Sequence, residues 1–201
     1  MPGTRRAISL EEFRWAYARL SNVSPMASDC GDLCGKSCCK GLDEKAGMYL
    51  FPGEEALFSP DEDWLTLEWH LVSEREFCPS WEGRIESVGF VICRGTCPRE
   101  QRPLACRLFP LVAEPSPAAS RKDPGAGIPG ISLDVSLDTG SAVLCPIARY
   151  TRIEHLDAGF VQACREVYSL LAQDPLVLDD FLWQSERRRR QANEPWRDLL
   201  H

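Results

Sequence analysis

Cys30-Gly31-Asp32-Leu33-Cys34-Gly35-Lys36-Ser37-Cys38-Cys39 places four thiols within ten residues. Gly31 and Gly35 lie among them and Gly41 just beyond. Glycine lets a backbone turn sharply and approach closely, and such turns aim N–H groups at anionic sulfur. The stretch reads as a metal-binding loop, and the remainder of the chain reads as the frame that brings it further thiols.

The frame is large enough to hold itself together. The chain has 201 residues, 44% of them hydrophobic, with six tryptophans, so one domain over residues 1–201 with a real core is expected. A net charge of −7 argues against general affinity for nucleic acid, which needs a cationic surface. No apolar run approaches the roughly 20 residues of a membrane span. Met1 to Leu10 carries Arg5 and Arg6 with no apolar stretch behind them, so no secretion signal is read and a reducing, cytoplasmic setting is expected. Ten cysteines in that setting favour metal over disulfides. Disulfide density compensates for cores too small to stand alone, which this chain does not require.

Before the cysteine loop, residues 9–22 read as a helix. Ser9 and Glu12 form a capping-box pattern, and Leu10, Phe13, Tyr17 and Leu20 recur at helical spacing. After the loop, Met48 to Phe51 reads as a short buried strand. Pro52, Glu54 and Glu55 suit a first helical turn, which is preferred over an acid–base role for the two carboxylates. Trp64 to Val72 alternates, with Leu65, Leu67, Trp69 and Leu71 on one face and Thr66, Glu68 and His70 on the other. His70 reads as solvated rather than as a metal ligand. Ile85 to Ile92 reads as a second strand.

A second cysteine cluster follows, from Cys93 through Cys97 to Cys106. Pro98, Pro103 and Pro110 keep it mostly rigid loop with one short helical piece. Arg102 and Arg107 stand close to these cysteines in sequence, where guanidinium groups would keep thiols ionised. Residues 113–130, rich in Pro, Gly, Ser and Ala, read as a flexible excursion. Ile131 to Val135 and Ser141 to Leu144 read as a hairpin whose return strand delivers Cys145-Pro146. The rest, residues 147–190, reads as helical: Ile147 to Leu156, a segment capped by Asp157 with Cys164 on its apolar face, and a last helix opening at Asp174-Pro175. The run Arg187 to Arg190 reads as a solvated helix end.

The candidate ligands are Cys30, Cys34, Cys38, Cys39, Cys97, Cys106 and Cys145, seven in all, with Cys93 left open as an eighth. One tetrahedral zinc takes four. Adjacent cysteines reach one mononuclear ion with difficulty, so Cys38 and Cys39 suggest two metal positions or a polynuclear cluster. An all-thiolate set suits zinc and iron–sulfur alike.

These cysteines, with Arg102-Pro103-Leu104-Ala105-Cys106-Arg107-Leu108-Phe109-Pro110 and Cys145-Pro146, resemble the YkgJ-like CxxxCxxCC family of zinc- or iron-chelating cysteine-cluster proteins. The resemblance spans Cys30 to Cys145 and implies a cytoplasmic metal-binding domain. The chain departs from the pattern in having three residues, Gly35, Lys36 and Ser37, before the Cys38-Cys39 pair where the family has two. The segment after Cys97, Pro98-Arg99-Glu100-Gln101, is one residue shorter. Flagellin lysine methylases carry a similar cluster, but the first loop lacks radical-SAM spacing and no repeated strand–helix units suggest a barrel.

The fold class expected is α+β: a small domain with N- and C-terminal helices, short antiparallel strands and a cysteine-rich metal-binding loop core. The function expected is coordination of zinc or iron, with an iron–sulfur enzyme or redox protein as the alternative. No catalytic residue is assigned, since none of the three histidines stands beside a candidate nucleophile. A protein partner docking on Trp81, Trp183 or Trp196 is a further reading.

Overall fold

The capping box in Ser9-Leu10-Glu11-Glu12 forms as the pattern predicts. In this computed structural model, which describes residues 6–40, 47–59, 62–74, 76–94, 97–116 and 132–193, Ser9 Oγ accepts from the Glu12 amide at 3.2 Å and the Glu12 carboxylate accepts from the Ser9 amide at 2.8 Å. Helix α1 runs Leu10–Leu20 and buries Phe13, Ala16 and Leu20. Leu10 stays exposed at the margin of that stripe.

The cysteine stretch is helical in two short pieces, α2 (Cys30–Cys34) and α3 (Ser37–Lys40). Beyond them, β1 (Gly47–Tyr49), β2 (Leu65–Leu71) and β3 (Ser87–Cys93) form an antiparallel sheet in the order β1-β3-β2. Across it Leu67 opposes Val91, Trp69 opposes Gly89, and His70 opposes Val88. The alternation expected of β2 is present, but its apolar face is covered at one end only. Leu65 is buried with Leu50 and Val91, whereas Trp69 and Leu71 are exposed.

Helix α4 (Leu104–Leu108) is the short helical piece expected in the second cluster. It leads into β4 (Leu111–Ser116), which pairs antiparallel with β5 (Ser132–Leu137). This corrects the hairpin expected of the sequence: the partner of β5 lies upstream, and residues 141–144 are not a strand. Asp138 causes the difference. Its carboxylate accepts from the Gly140 amide at 3.2 Å and from Ser141 Oγ, winding the chain into a tight turn over Thr139–Ser141. Residues 113–116 belong to β4, and the rest of the excursion expected over 113–130 lies outside the described residues.

The helix expected over Ile147 to Leu156 is split. Helix α5 (Pro146–Tyr150) ends where Thr151 and Arg152 are extended, and a single turn follows at Ile153–His155. Helix α6 (Ala158–Leu171) is capped by Asp157, whose Oδ1 accepts from the Phe160 amide at 2.8 Å. Helix α7 (Pro175–Asn193) opens on Pro175, whose ring fits the first helical position.

The main core lies between α1, α4, the β4–β5 hairpin, α6 and α7, around Phe13, Leu104, Leu108, Phe160, Val167 and Leu171. Cys164 is buried in it and its thiol points at the Leu108 carbonyl, as expected of a core cysteine. Trp81, considered as a surface anchor, is instead core: it is buried, and its indole N–H donates to the Leu176 carbonyl at 2.9 Å. Trp183 packs at the edge of the same cluster beneath Arg187, and Trp196 lies outside the described residues.

The arginine run of α7 is tied into the fold rather than simply solvated. Arg188 and Arg189 both pair with Glu114 of β4 at 2.9 Å, and Arg187 pairs with Glu76 at 3.2 Å. Among the described residues, no helix is long and apolar enough to cross a membrane. The architecture is α+β, helices with two small antiparallel sheets.

Candidate metal centre

Asp29 starts the site. Its Oδ1 accepts from the Gly31 amide at 2.9 Å, capping α2, and its other oxygen meets Arg99 of the second cluster at 3.3 Å. Arg99 also donates to the Val23 carbonyl at 3.1 Å. One side chain thus ties together two segments about 70 residues apart, and the two cysteine clusters meet as a result.

Within α2, Cys30 and Cys34 stand one turn apart, and Cys34 Sγ approaches the Cys30 carbonyl at 3.8 Å. The helix stops at Gly35, in the left-handed conformation at φ 59°, which glycine adopts without steric cost. Lys36 follows at φ 61°. Two consecutive residues with positive φ turn the chain here. Ser37 Oγ then donates to the Cys34 carbonyl at 2.7 Å, and α3 presents Cys38 and Cys39.

The second cluster supplies the opposite side. Cys93 ends β3, Cys97 precedes a single turn at Arg99–Gln101, and Cys106 rides on α4. Cys145 arrives as the N-cap of α5, where the nearby Ala148 and Ile147 amides work to lower its pKa against burial. All ten cysteines are unbridged.

The thiols interact in a chain. The foremost influences on the acidity of Cys97 are Cys39 and Cys93, and the foremost on Cys39 is Cys38. The two neighbouring thiols, with help from the Arg102 guanidinium, hold Cys97 far below the usual thiol range. Cys38 is brought down to about 6, first by the Cys39 thiol and then by Arg102. Cys39 and Cys93 are pushed up because each keeps its proton beside a more readily ionised sulfur, Cys38 and Cys97 for the first and Cys97 for the second. Burial raises Cys30 to about 11 and Cys106 to about 12, and it raises Cys145 too. Each of these also feels other members of the cluster: Cys30 feels Cys38, Cys34 and Cys145, and Cys106 feels Cys97 and Cys38. These influences run among the seven cysteines expected as ligands and extend to Cys93.

The two arginines separate. Arg102 reaches the thiols, and its buried Nε has no hydrogen-bond partner. Arg107 turns away: its guanidinium lies 4.5 Å from the Tyr17 ring centroid and its Nε donates to the Arg102 carbonyl at 2.8 Å. It supports the backbone that carries Arg102. His70 stands apart in an aromatic group, with Nδ1 at 2.9 Å from the Tyr49 hydroxyl and its ring stacked on Phe90.

Glu54 was not singled out as a positioning group, yet it shapes the site. The fully buried carboxylate accepts from the Leu104 amide at 2.7 Å, the Tyr17 hydroxyl at 2.7 Å and the Phe51 amide at 2.9 Å. Leu104 opens α4, whose preceding Pro103 offers no side-chain cap. Glu54 thus does the capping from 50 residues away and fixes the helix that carries Cys106.

Among the described residues, no group of three or more histidine, cysteine, aspartate or glutamate side chains is placed to hold a metal ion. The chemistry of the candidate thiols nonetheless fits a thiophilic cation: the set is all sulfur, it excludes histidine, and a buried guanidinium offsets its charge. A scan against family models, a search of curated proteins and a search of solved structures return no match for this chain.

Proposed function

We propose that this is a metal-binding protein that coordinates zinc or iron through the thiolates of Cys30, Cys34, Cys38, Cys39, Cys97, Cys106 and Cys145, in the manner implied by its resemblance to the YkgJ-like family. The observation that supports the reading is the mutual influence of the two clusters at Cys97, whose acidity is set first by Cys39 of the first and then by Cys93 of the second. A structural use of cysteine would bury the thiols separately in hydrocarbon, as happens at Cys164. Here all but Cys145 keep some exposure, and Arg102 stands beside Cys97 and Cys39. The bound ion would supply a fixed cationic centre for thiolates that otherwise share protons. A reducing, cytoplasmic setting belongs to the same proposal, because thiolate ligands persist there.

The test is metal quantification on protein purified without oxygen, together with its visible spectrum. At least one equivalent of zinc or iron per chain is expected. Less than half an equivalent of any transition metal would end the reading. Broad visible absorption that bleaches on reduction, with matching inorganic sulfide, would assign an iron–sulfur cluster; a colourless zinc protein would exclude one.

Acidity gives a second check. Cys30 and Cys106 sit at about 11 and about 12 before metal binds. A cation must therefore displace their protons at neutral pH, so apparent affinity rises with pH. A titration repeated between pH 6 and pH 8 should show tighter binding at the alkaline end and proton release on loading.

A further inference from the structure

We propose that the outer edge of β2 is the docking surface for a second copy of this chain, the two β2 strands pairing antiparallel about a two-fold axis at Trp69. The inference is independent of the metal-binding reading.

β2 is an end strand of its sheet, in the order β1-β3-β2, and among the described residues no strand pairs with its outer side. The ladder fixes which residues face outward. The Val72 amide donates to the Glu86 carbonyl at 3.0 Å, and the Arg94 amide to the Trp64 carbonyl at 2.9 Å. Main-chain groups in an antiparallel pair point alternately toward and away from the neighbouring strand. The even-numbered residues of β2 therefore bond to β3, and Leu67, Trp69 and Leu71 turn their N–H and C=O groups outward. Lone edges are ordinarily blunted by lysine, proline, a bulge or shortness. β2 reads Leu65-Thr66-Leu67-Glu68-Trp69-His70-Leu71, seven residues in unbroken register with none of these devices. Along it Trp69 is 54% exposed and Leu71 38%.

Charge selects the occupant and the register. Outward-facing residues must meet outward-facing residues, so a symmetric pair is centred on Leu67, Glu68 or Trp69. Centring on Glu68 sets that carboxylate against its own copy, and like charges directly opposite destabilise a ladder. Centring on Leu67 calls on Leu65, whose amide is already taken by the Glu62 carbonyl at 3.4 Å. Centring on Trp69 sets Glu68 opposite the partner's His70, and Leu67 opposite the partner's Leu71. His70 is oriented for this. Its Nδ1 lies 2.9 Å from the Tyr49 hydroxyl, and its Nε2 lies 3.4 Å from a Glu68 oxygen. A carboxylate only accepts, so Nε2 carries the ring proton and Tyr49 donates to Nδ1. Two carboxylates and two imidazoles then alternate around the axis on one face of the joined sheet, and Trp69 meets its own copy on the other. The strand is thus its own complement, as a two-fold interface requires.

Sedimentation of the full chain, kept in reductant so that no disulfide joins two copies, tests this between about 1 μM and about 100 μM. The mass should climb from one chain to two and stop there, because a two-fold pair closes on itself. Amide hydrogen exchange should slow with concentration at Leu67, Trp69 and Leu71, and not at Glu68 and His70, whose amides already bond to β3. Trp69→Lys, which sets two ammonium groups face to face on the axis, should leave the chain monomeric with unchanged circular dichroism. Glu68→Gln should weaken association by about 2- to 30-fold, the range for two cross-strand pairs. A chain that stays monomeric throughout overturns the proposal, whether or not β2 takes a strand of another protein. So do growth beyond two chains, a dimer that Trp69→Lys leaves intact, and a Glu68→Gln chain that associates more tightly, as centring on Glu68 requires. If Trp69→Lys fails to fold, the exchange pattern and Glu68→Gln still decide the matter.

Discussion

Cys164 and Cys97 are the same residue in opposite surroundings. Cys164 lies in hydrocarbon on α6, facing α4, where burial drives its thiol up to about 12. Cys97 lies in a turn-rich region among other thiols and Arg102, and is held far down. The molecule divides along that line. One region, α1, α6, α7 and the β4–β5 hairpin, is held by side-chain packing. The other, around α2, α3, Cys93–Cys106 and Cys145, has short elements, half-exposed side chains and a density of polar tethers such as Arg99–Asp29.

That division can be broken most directly from the packed side. Phe160 is almost wholly buried at the centre of the main core. Phe160→Ala should cost about 3–5 kcal/mol, the transfer and cavity terms together. Denaturant unfolding should show the loss whether or not metal is present, and metal stoichiometry in the surviving folded fraction should not change. If the variant instead lost metal at equal folded fraction, the two regions would not be separable.

The packed region was largely legible in the sequence, and the thiol region only in part. Helical spacing at Phe13 and Leu20, the caps at Ser9 and Asp157, and the strand alternation from Leu65 all act between near neighbours, and local rules cover them. The hairpin failed because β5 pairs with β4 across a long connection, and because Asp138 turns the chain with a side-chain bond that spacing does not reveal. The ligand candidates were visible as residue types. Their meeting was not, because it depends on Arg99 reaching Asp29 and on Glu54 reaching Leu104. Glu54 had one available signal: a carboxylate flanked by Phe51, Pro52, Ala56 and Leu57 has few ways of staying wet.

Glu54 also sharpens the comparison, since it belongs to both regions. Burial pushes its carboxyl up, while the Leu104 amide, the Tyr17 hydroxyl and the Phe51 amide favour the ionised form. Glu54→Gln keeps the shape but turns an NH2 group toward one of these donors. The expected loss is about 1–3 kcal/mol, the cost of an unsatisfied buried group. Because the Leu104 amide starts the helix bearing Cys106, affinity for metal should fall as well. A melting curve and a metal titration on the same variant read the two effects. A loss of stability with unchanged affinity would show that the capping of α4 does not reach the thiols.

The smallest effect expected lies farthest from the thiols. Glu114 on β4 accepts from Ser185 Oγ at 2.6 Å and pairs with Arg188 and Arg189 at 2.9 Å, so it clips α7 to the hairpin. Burial raises its pKa, but the Ser185 and Arg188 contacts outweigh that and leave it below the usual value. A carboxyl lowered in the folded state stabilises above its unfolded pKa, about 4.3. That contribution fades as pH falls through the lower, folded value. Glu114→Gln should therefore cost about 1–2 kcal/mol at pH 7, consistent with charge-assisted bonds at a partly buried site. It should flatten the acid side of the stability curve below about pH 4.5, and it should leave metal stoichiometry untouched at every pH where the chain stays folded. An acid slope identical to that of the parent would mean that α7 is held by its apolar face, through Val177 and Phe181, and that the arginine run contributes nothing to the packed region.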